Sequence, residues 1–81
     1  MSTYQPIDCD YYDRLEAWAT MRTDCVIVFN DDEGKEQQLS AKIEDVYTKD
    51  KIEYLKTDTG LVIRLDALLS VNGIVLPGKT I

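Results

Sequence analysis

The sequence predicts a mostly β protein with one N-terminal helix, its strands forming a small, strongly bent antiparallel barrel. Three observations carry that prediction. Between Tyr11 and Arg22 the apolar residues recur at helical spacing without a glycine or proline; after Thr23 the pattern turns into short apolar runs; and glycine-bearing turn signals separate those runs. With 81 residues the chain holds a single domain, because one core needs most of that length to offset chain entropy. Its 44% hydrophobic and 30% charged content is that of a folded chain and lies away from the composition of disordered ones.

Residues 1–7 read as an extended arm, since Pro6 biases the residue before it away from helix. The helix is expected over 8–22, capped by Asp8 or Asp10 and favoured by acids in its first turn. At 100° per residue Tyr11, Leu15, Trp18, Ala19 and the stem of Arg22 fall on an inner side. Asp10, Asp13, Glu16, Ala17 and Thr20 fall on an acidic outer side.

Residues 24–76 should form the barrel, in about five strands, with the helix across one opening. Asp24 to Asn30 has the continuous apolar middle of a central strand buried on both faces, and Asn30-Asp31-Asp32-Glu33-Gly34 then supplies a hairpin turn. Leu39, Ala41 and Ile43 alternate with polar residues, as do Ile52 and Tyr54, and Leu61, Ile63 and Leu65 continue the pattern. Asp58-Thr59-Gly60 marks a second hairpin. A last apolar run, Leu68 to Leu76, is broken at Asn72-Gly73, and residues 77–81 form a tail beginning Pro77-Gly78.

The net charge of −6 is unevenly placed. Residues 1–33 hold Asp8, Asp10, Asp13, Glu16, Asp24, Asp31, Asp32 and Glu33 against only Arg14 and Arg22, whereas acids and bases cancel over 34–81. A protein whose main activity is direct nucleic-acid binding needs an excess of Lys and Arg to neutralise phosphate, and this chain has the opposite balance. An acidic N-terminal half suits a basic partner. The sequence contains no apolar run long enough to span a membrane and no secretory leader pattern, so the cytoplasm is the expected compartment.

Little in the chain points to catalysis. Histidine, the commonest general base and metal ligand, is absent, which removes Ser-His and Cys-His nucleophile arrangements. The carboxylates fall on a helix face and in turns, where solvated surface charge is the ordinary outcome. Asp8, Asp10 and Asp13 lack the glycine and distal glutamate of a calcium loop. No enzyme activity, cofactor or metal is expected. Cys9 and Cys25 match no zinc spacing and are too few for a disulfide framework; their pairing with each other stays open, with reduced thiols the expectation and Cys25 read as a small buried apolar residue. Of the many rings, Trp18 and Tyr54 are expected in the core, while Tyr11 and Tyr12 either brace the helix or anchor an interface.

The segment Tyr4-Gln5-Pro6-Ile7-Asp8-Cys9-Asp10-Tyr11-Tyr12-Asp13-Arg14-Leu15-Glu16 resembles the N-terminal signature of the Rof (YaeO) family of Rho-binding antiterminators. Leu39-Ser40-Ala41-Lys42, Lys51-Ile52-Glu53-Tyr54-Leu55 and Arg64-Leu65-Asp66 resemble that family's later strands, so the likeness spans nearly the whole chain. It implies an Sm-like barrel and a monomeric inhibitor that binds the N-terminal RNA-binding domain of the termination factor Rho, blocks RNA loading at the primary site and causes antitermination. By position, it places partner-binding residues at Asp8, Asp10, Tyr11, Asp13 and Glu16 on the helix, with Lys49, Asp50 and Lys51 adding contacts from a loop. Two other readings stand beside it. An Sm-like RNA-binding protein would need Lys35, Lys42, Lys49, Lys51, Lys56 and Arg64 to cluster on one face, and an acidic adaptor would serve some other basic protein.

Overall fold

The computed structural model describes residues 6–78. Of the arm expected over residues 1–7, positions 1–5, Tyr4 among them, lie outside the described residues, as do positions 79–81 of the expected tail.

Helix α1, Cys9–Met21, begins at Asp8, whose carboxylate accepts the Tyr11 backbone N–H at 3.1 Å and supplies the N-cap. It ends at Arg22, which adopts a left-handed conformation with φ 53° while the Thr23 N–H donates back to the Trp18 carbonyl. That position normally favours glycine, and it turns the exposed Arg22 side chain away from the core side where helical spacing placed its stem.

Six strands follow: β1 Asp24–Asn30, β2 Glu36–Lys49, β3 Ile52–Thr57, β4 Val62–Arg64, β5 Leu68–Val71 and β6 Ile74–Val75. All their pairings are antiparallel, and the sheet order is β4-β3-β2-β1-β5-β6. A 3₁₀ turn, Leu65–Ala67, joins β4 to β5. In a flat sheet those two strands, four places apart in the order, would be about 19 Å apart. The link covers only about 8 Å at the rise of a 3₁₀ turn, so the sheet must curl round on itself.

The expected barrel is realised as this curled sheet, which does not close. Its free ends are β4 and β6, and a cleft of about 290 Å³ lies between Phe29-Asn30 at the end of β1 and the run Leu61 to Arg64.

Strand β2 is long enough to serve both halves of the curl, its first part pairing with β1 and its second with β3. The register shifts between Ile43 and Asp45, a bulge that resets the alternation. Ala41, Ile43 and Val46 therefore face the core, while Glu44 and Asp45 are both exposed.

The core gathers Tyr11 and Leu15 from the helix with Cys25, Ile27, Ile43, Leu55, Leu65, Leu68 and Val71 from the sheet side. Cys25 is buried and unbridged, and Cys9 is exposed and also free. Strand β1 is central by pairing, yet it is buried on one face only: Cys25 and Ile27 point inward, and Val26 remains 41% exposed. The two-sided burial read from its apolar run is corrected accordingly, because no second layer covers the outer wall of so small a protein. Tyr54 is likewise only partly buried on that wall instead of in the core. Trp18 packs against the core and meets the Tyr11 ring edge-on at 6.5 Å.

Candidate functional site

The helix is fixed to the sheet by Tyr11. Its hydroxyl donates to the Ile74 carbonyl at 2.6 Å and accepts the Val71 backbone N–H at 2.9 Å, tying the β5–β6 hairpin to α1. Burial pushes the Tyr11 phenol up from its ordinary value, against the opposing pull of the Val71 bond. At 3% exposure the ring has no surface to offer a partner. The resemblance-based assignment of Tyr11 as a contact residue is therefore corrected: its inward position follows from helical spacing with Leu15 and Trp18. Tyr12, one residue on, is partly exposed and is the ring that flanks the acidic face.

With the inner side pinned, α1 must turn Asp10, Asp13 and Glu16 outward, and all three are exposed. Three-residue spacing sets their Cβ atoms about 5–6 Å apart along the helix. The ion pairs found among the described residues, Lys35 with Glu33, Lys42 with Asp24, Lys56 with Glu44 and Arg64 with Asp66, leave these three carboxylates out. Asp8 is exposed but already committed as the helix cap, so it contributes to the local field more than to direct contacts.

Toward its C-terminal half the acidic face continues onto the sheet. Glu16, Ala19 and Thr20 of α1 border a notch of about 190 Å³ whose other wall is Glu44, Asp45 and Val46 of β2. Glu44 and Asp45 were not singled out from sequence, because only the bulge turns both outward. Among the described residues no three His, Cys, Asp or Glu side chains converge to hold a metal ion.

Lys49, Asp50 and Lys51 form the β2–β3 turn. Lys49 pairs with Ile52, leaving Asp50 and Lys51 as a two-residue loop with φ 53° and 66°. Positive φ at both positions is what a hairpin of this length requires, and non-glycine residues there are uncommon. The turn lies toward the N-terminal end of the helix: Glu53, which pairs with Thr48 one step before it, accepts the Ile7 N–H at 3.0 Å. Pro6, Ile7, Cys9, Tyr12, Asp13 and Glu53 surround a shallow, mostly apolar hollow of about 240 Å³. Two segments 30 or more positions apart in the chain are thereby brought to one end of the molecule.

The acidic turn after β1 is internally organised. Asp31 accepts the N–H groups of Glu33 and Lys35 and the Gln37 amide, and these bonds, that of Lys35 foremost, hold its carboxyl below the usual range. It is a structural turn residue.

The fold and the surface define a class: a small, acidic, curled-sheet protein that presents, on a pinned helix, a row of carboxylates without ion-pair partners among the described residues. Neither a family model nor a curated protein matches the sequence. Among the described residues no helix is long and apolar enough to cross a membrane.

Proposed function

We propose that the protein is a Rof-like inhibitor of the transcription termination factor Rho, docking its acidic helix on the primary RNA-binding site of Rho's N-terminal domain and preventing RNA loading. The observation that carries this reading is the outward row Asp10, Asp13 and Glu16, left unpaired among the described residues on a helix whose other side is anchored in the core.

A site that holds single-stranded RNA combines cations for phosphate with surfaces for base stacking. Carboxylates at helical spacing compete for the cations, and the partly exposed Tyr12 supplies a ring beside Asp13 in the place first assigned to Tyr11. The strained turn Lys49-Asp50-Lys51, near the same end, adds contacts of mixed sign. A few central contacts should hold most of the affinity, with the remaining charge accelerating encounter in a salt-dependent way.

The test is to titrate the protein into a complex of Rho with labelled RNA and follow release of the RNA. Release is expected, and the combined substitution Asp13→Lys with Glu16→Lys should abolish it without altering the circular dichroism spectrum. Undiminished release by the double variant would remove this face from the mechanism.

A further inference from the structure

The β5–β6 hairpin turns through Asn72-Gly73, and it is the element that the buried hydroxyl of Tyr11 ties to the helix. Val71 and Ile74 pair on either side of that turn. Because the Val71 N–H and the Ile74 carbonyl both bond the same hydroxyl, Tyr11 closes the hairpin at its neck.

Asparagine followed by glycine is the dipeptide whose backbone most readily attacks its own side chain. The glycine nitrogen, with no Cβ beside it, reaches the asparagine carboxamide carbon and closes a five-membered ring. Asn72 and Gly73 are both exposed. The only other asparagine of the chain, Asn30, is followed by Asp31, whose side chain hinders the same approach.

In the closed hairpin the Asn72 carboxamide is held elsewhere. The Asn72 backbone N–H donates to the Val26 carbonyl at 2.9 Å, and its Oδ1 accepts the Val26 N–H at 3.0 Å, so the side chain stands in for main chain in the next rung of the β1–β5 ladder. Its Nδ2 donates to the Cys25 sulfur at 3.6 Å. With φ 54° at Asn72 and 79° at Gly73, the backbone is set as a tight two-residue turn. Ring closure must swing the carboxamide off β1 and onto the Gly73 nitrogen, which breaks both anchors and opens the turn.

We infer that Asn72-Gly73 is a site of spontaneous deamidation, locked while the β5–β6 hairpin is closed and released by its local opening, and that its isoaspartate product loosens the anchor of α1. In the step, the Gly73 nitrogen bonds to Asn72 Cγ and the Cγ–Nδ2 bond breaks; the Gly73 amide proton leaves with the side-chain nitrogen as ammonia. One water then opens the succinimide, at one carbonyl to give aspartate and at the other to give isoaspartate. Aspartate at this position keeps an acceptor for the Val26 N–H but loses the donor to the sulfur. Isoaspartate carries the main chain through Cγ and adds a methylene to a turn built for two residues. Val71 and Ile74 are then displaced from the positions where one hydroxyl meets both, and Tyr11 loses its hold. The site stands on the hairpin alone; only its effect on partner binding rests on the proposed inhibition of Rho.

The test ages the full-length protein in mildly alkaline buffer, which favours the attacking amide anion, and follows Asn72 and Asn30 by peptide mass mapping. Asn72 should convert slowly while Asn30 persists, and in concentrated urea Asn72 should convert far faster. Tyr11→Phe, which removes the bridging hydroxyl, should speed conversion of Asn72 by about tenfold. Where that variant fails to fold, the unaltered protein in dilute urea gives the same reading, its rate climbing before global unfolding begins. The purified isoaspartate form should unfold at a lower temperature and release less RNA from Rho. Conversion in the folded protein as fast as in concentrated urea, a rate unchanged in a folded Tyr11→Phe variant or rising only with global unfolding, or an isoaspartate form as stable as its parent would each overturn the inference. Loss of stability in the isoaspartate form, with no form of the protein releasing RNA, would uphold the site and sink the Rho reading instead.

Discussion

Charge is handled differently in the helix and in the sheet. On the strands and their turns, cations sit beside acids: Lys42 with Asp24 at 2.6 Å, Arg64 with Asp66 at 2.8 Å, Lys56 with Glu44 and Lys35 with Glu33. On α1 the carboxylates of Asp10, Asp13 and Glu16 face outward with no such partner among the described residues, although Arg14 shares the helix. Exposed pairs contribute little to stability, so the pairing in the sheet chiefly neutralises its own field. The field of the helix is not neutralised in this way among the described residues. Its hold on the rest of the molecule comes from the opposite side, through Leu15 at 0% exposure and the doubly bonded Tyr11 hydroxyl.

Substitutions on the two sides of the helix should therefore separate cleanly. The largest effect is expected from Leu15→Ala, which empties a fully buried position and should cost about 2–5 kcal/mol in denaturant unfolding. Tyr11→Phe comes next: it preserves packing but leaves the Val71 N–H and Ile74 carbonyl without their partner, a loss of about 1–3 kcal/mol. The same variant sharpens a pH effect. Because burial raises both the Cys25 thiol and the Tyr11 phenol above their ordinary values of 9.0 and 10.0, the unfolded chain releases these protons first. The stability they contribute is complete below about pH 9 and is lost as pH rises through the folded-state values. Thermal unfolding followed from neutral to alkaline pH should show this decline, and Tyr11→Phe should remove the part that begins above Tyr11's ordinary value.

Asp8→Ala should cost about 1 kcal/mol through loss of the N-cap, seen as lower helicity and a lower unfolding midpoint. The smallest stability change belongs to Asp13→Lys and Glu16→Lys, each within about 0.5 kcal/mol, despite their expected loss of Rho binding. Destabilisation by either to the level of Leu15→Ala would break the comparison, since the outer face would then be structural.

The helix was legible in the sequence to within a residue at each end, because an acidic cap and a 3.6-residue apolar stripe are local signals. Its N-cap narrowed from two candidates to Asp8, and its inner set Tyr11, Leu15, Trp18 and Ala19 appears on the core side as spacing indicated. The antiparallel sheet and the hairpins at 30–34 and 58–60 were legible too, through turn residues such as Gly34 and Gly60, whose φ values are 77° and 91°. The run 68–76, read as one broken stretch among about five strands, is instead two strands, β5 and β6, because Asn72 and Gly73 take φ values of 54° and 79° and turn the chain back. The course of β2 was less so. A bulge at Glu44 has no distinctive composition, and it decides that Val46 enters the core while Glu44 and Asp45 join the acidic surface.

The sequence by itself determined the helix followed by antiparallel strands and the excess of acid in the first 33 residues, since each depends on composition or near neighbours. Tertiary structure alone decided that Tyr11 is an anchor and Tyr12 the accessible ring, that the β2–β3 turn lies toward the start of the helix, that Tyr47 and Tyr54 stack on the outer wall, and that the curled sheet stops short of closing. These outcomes depend on which residues distant in the chain come to face one another, and that is set by packing the whole core at once.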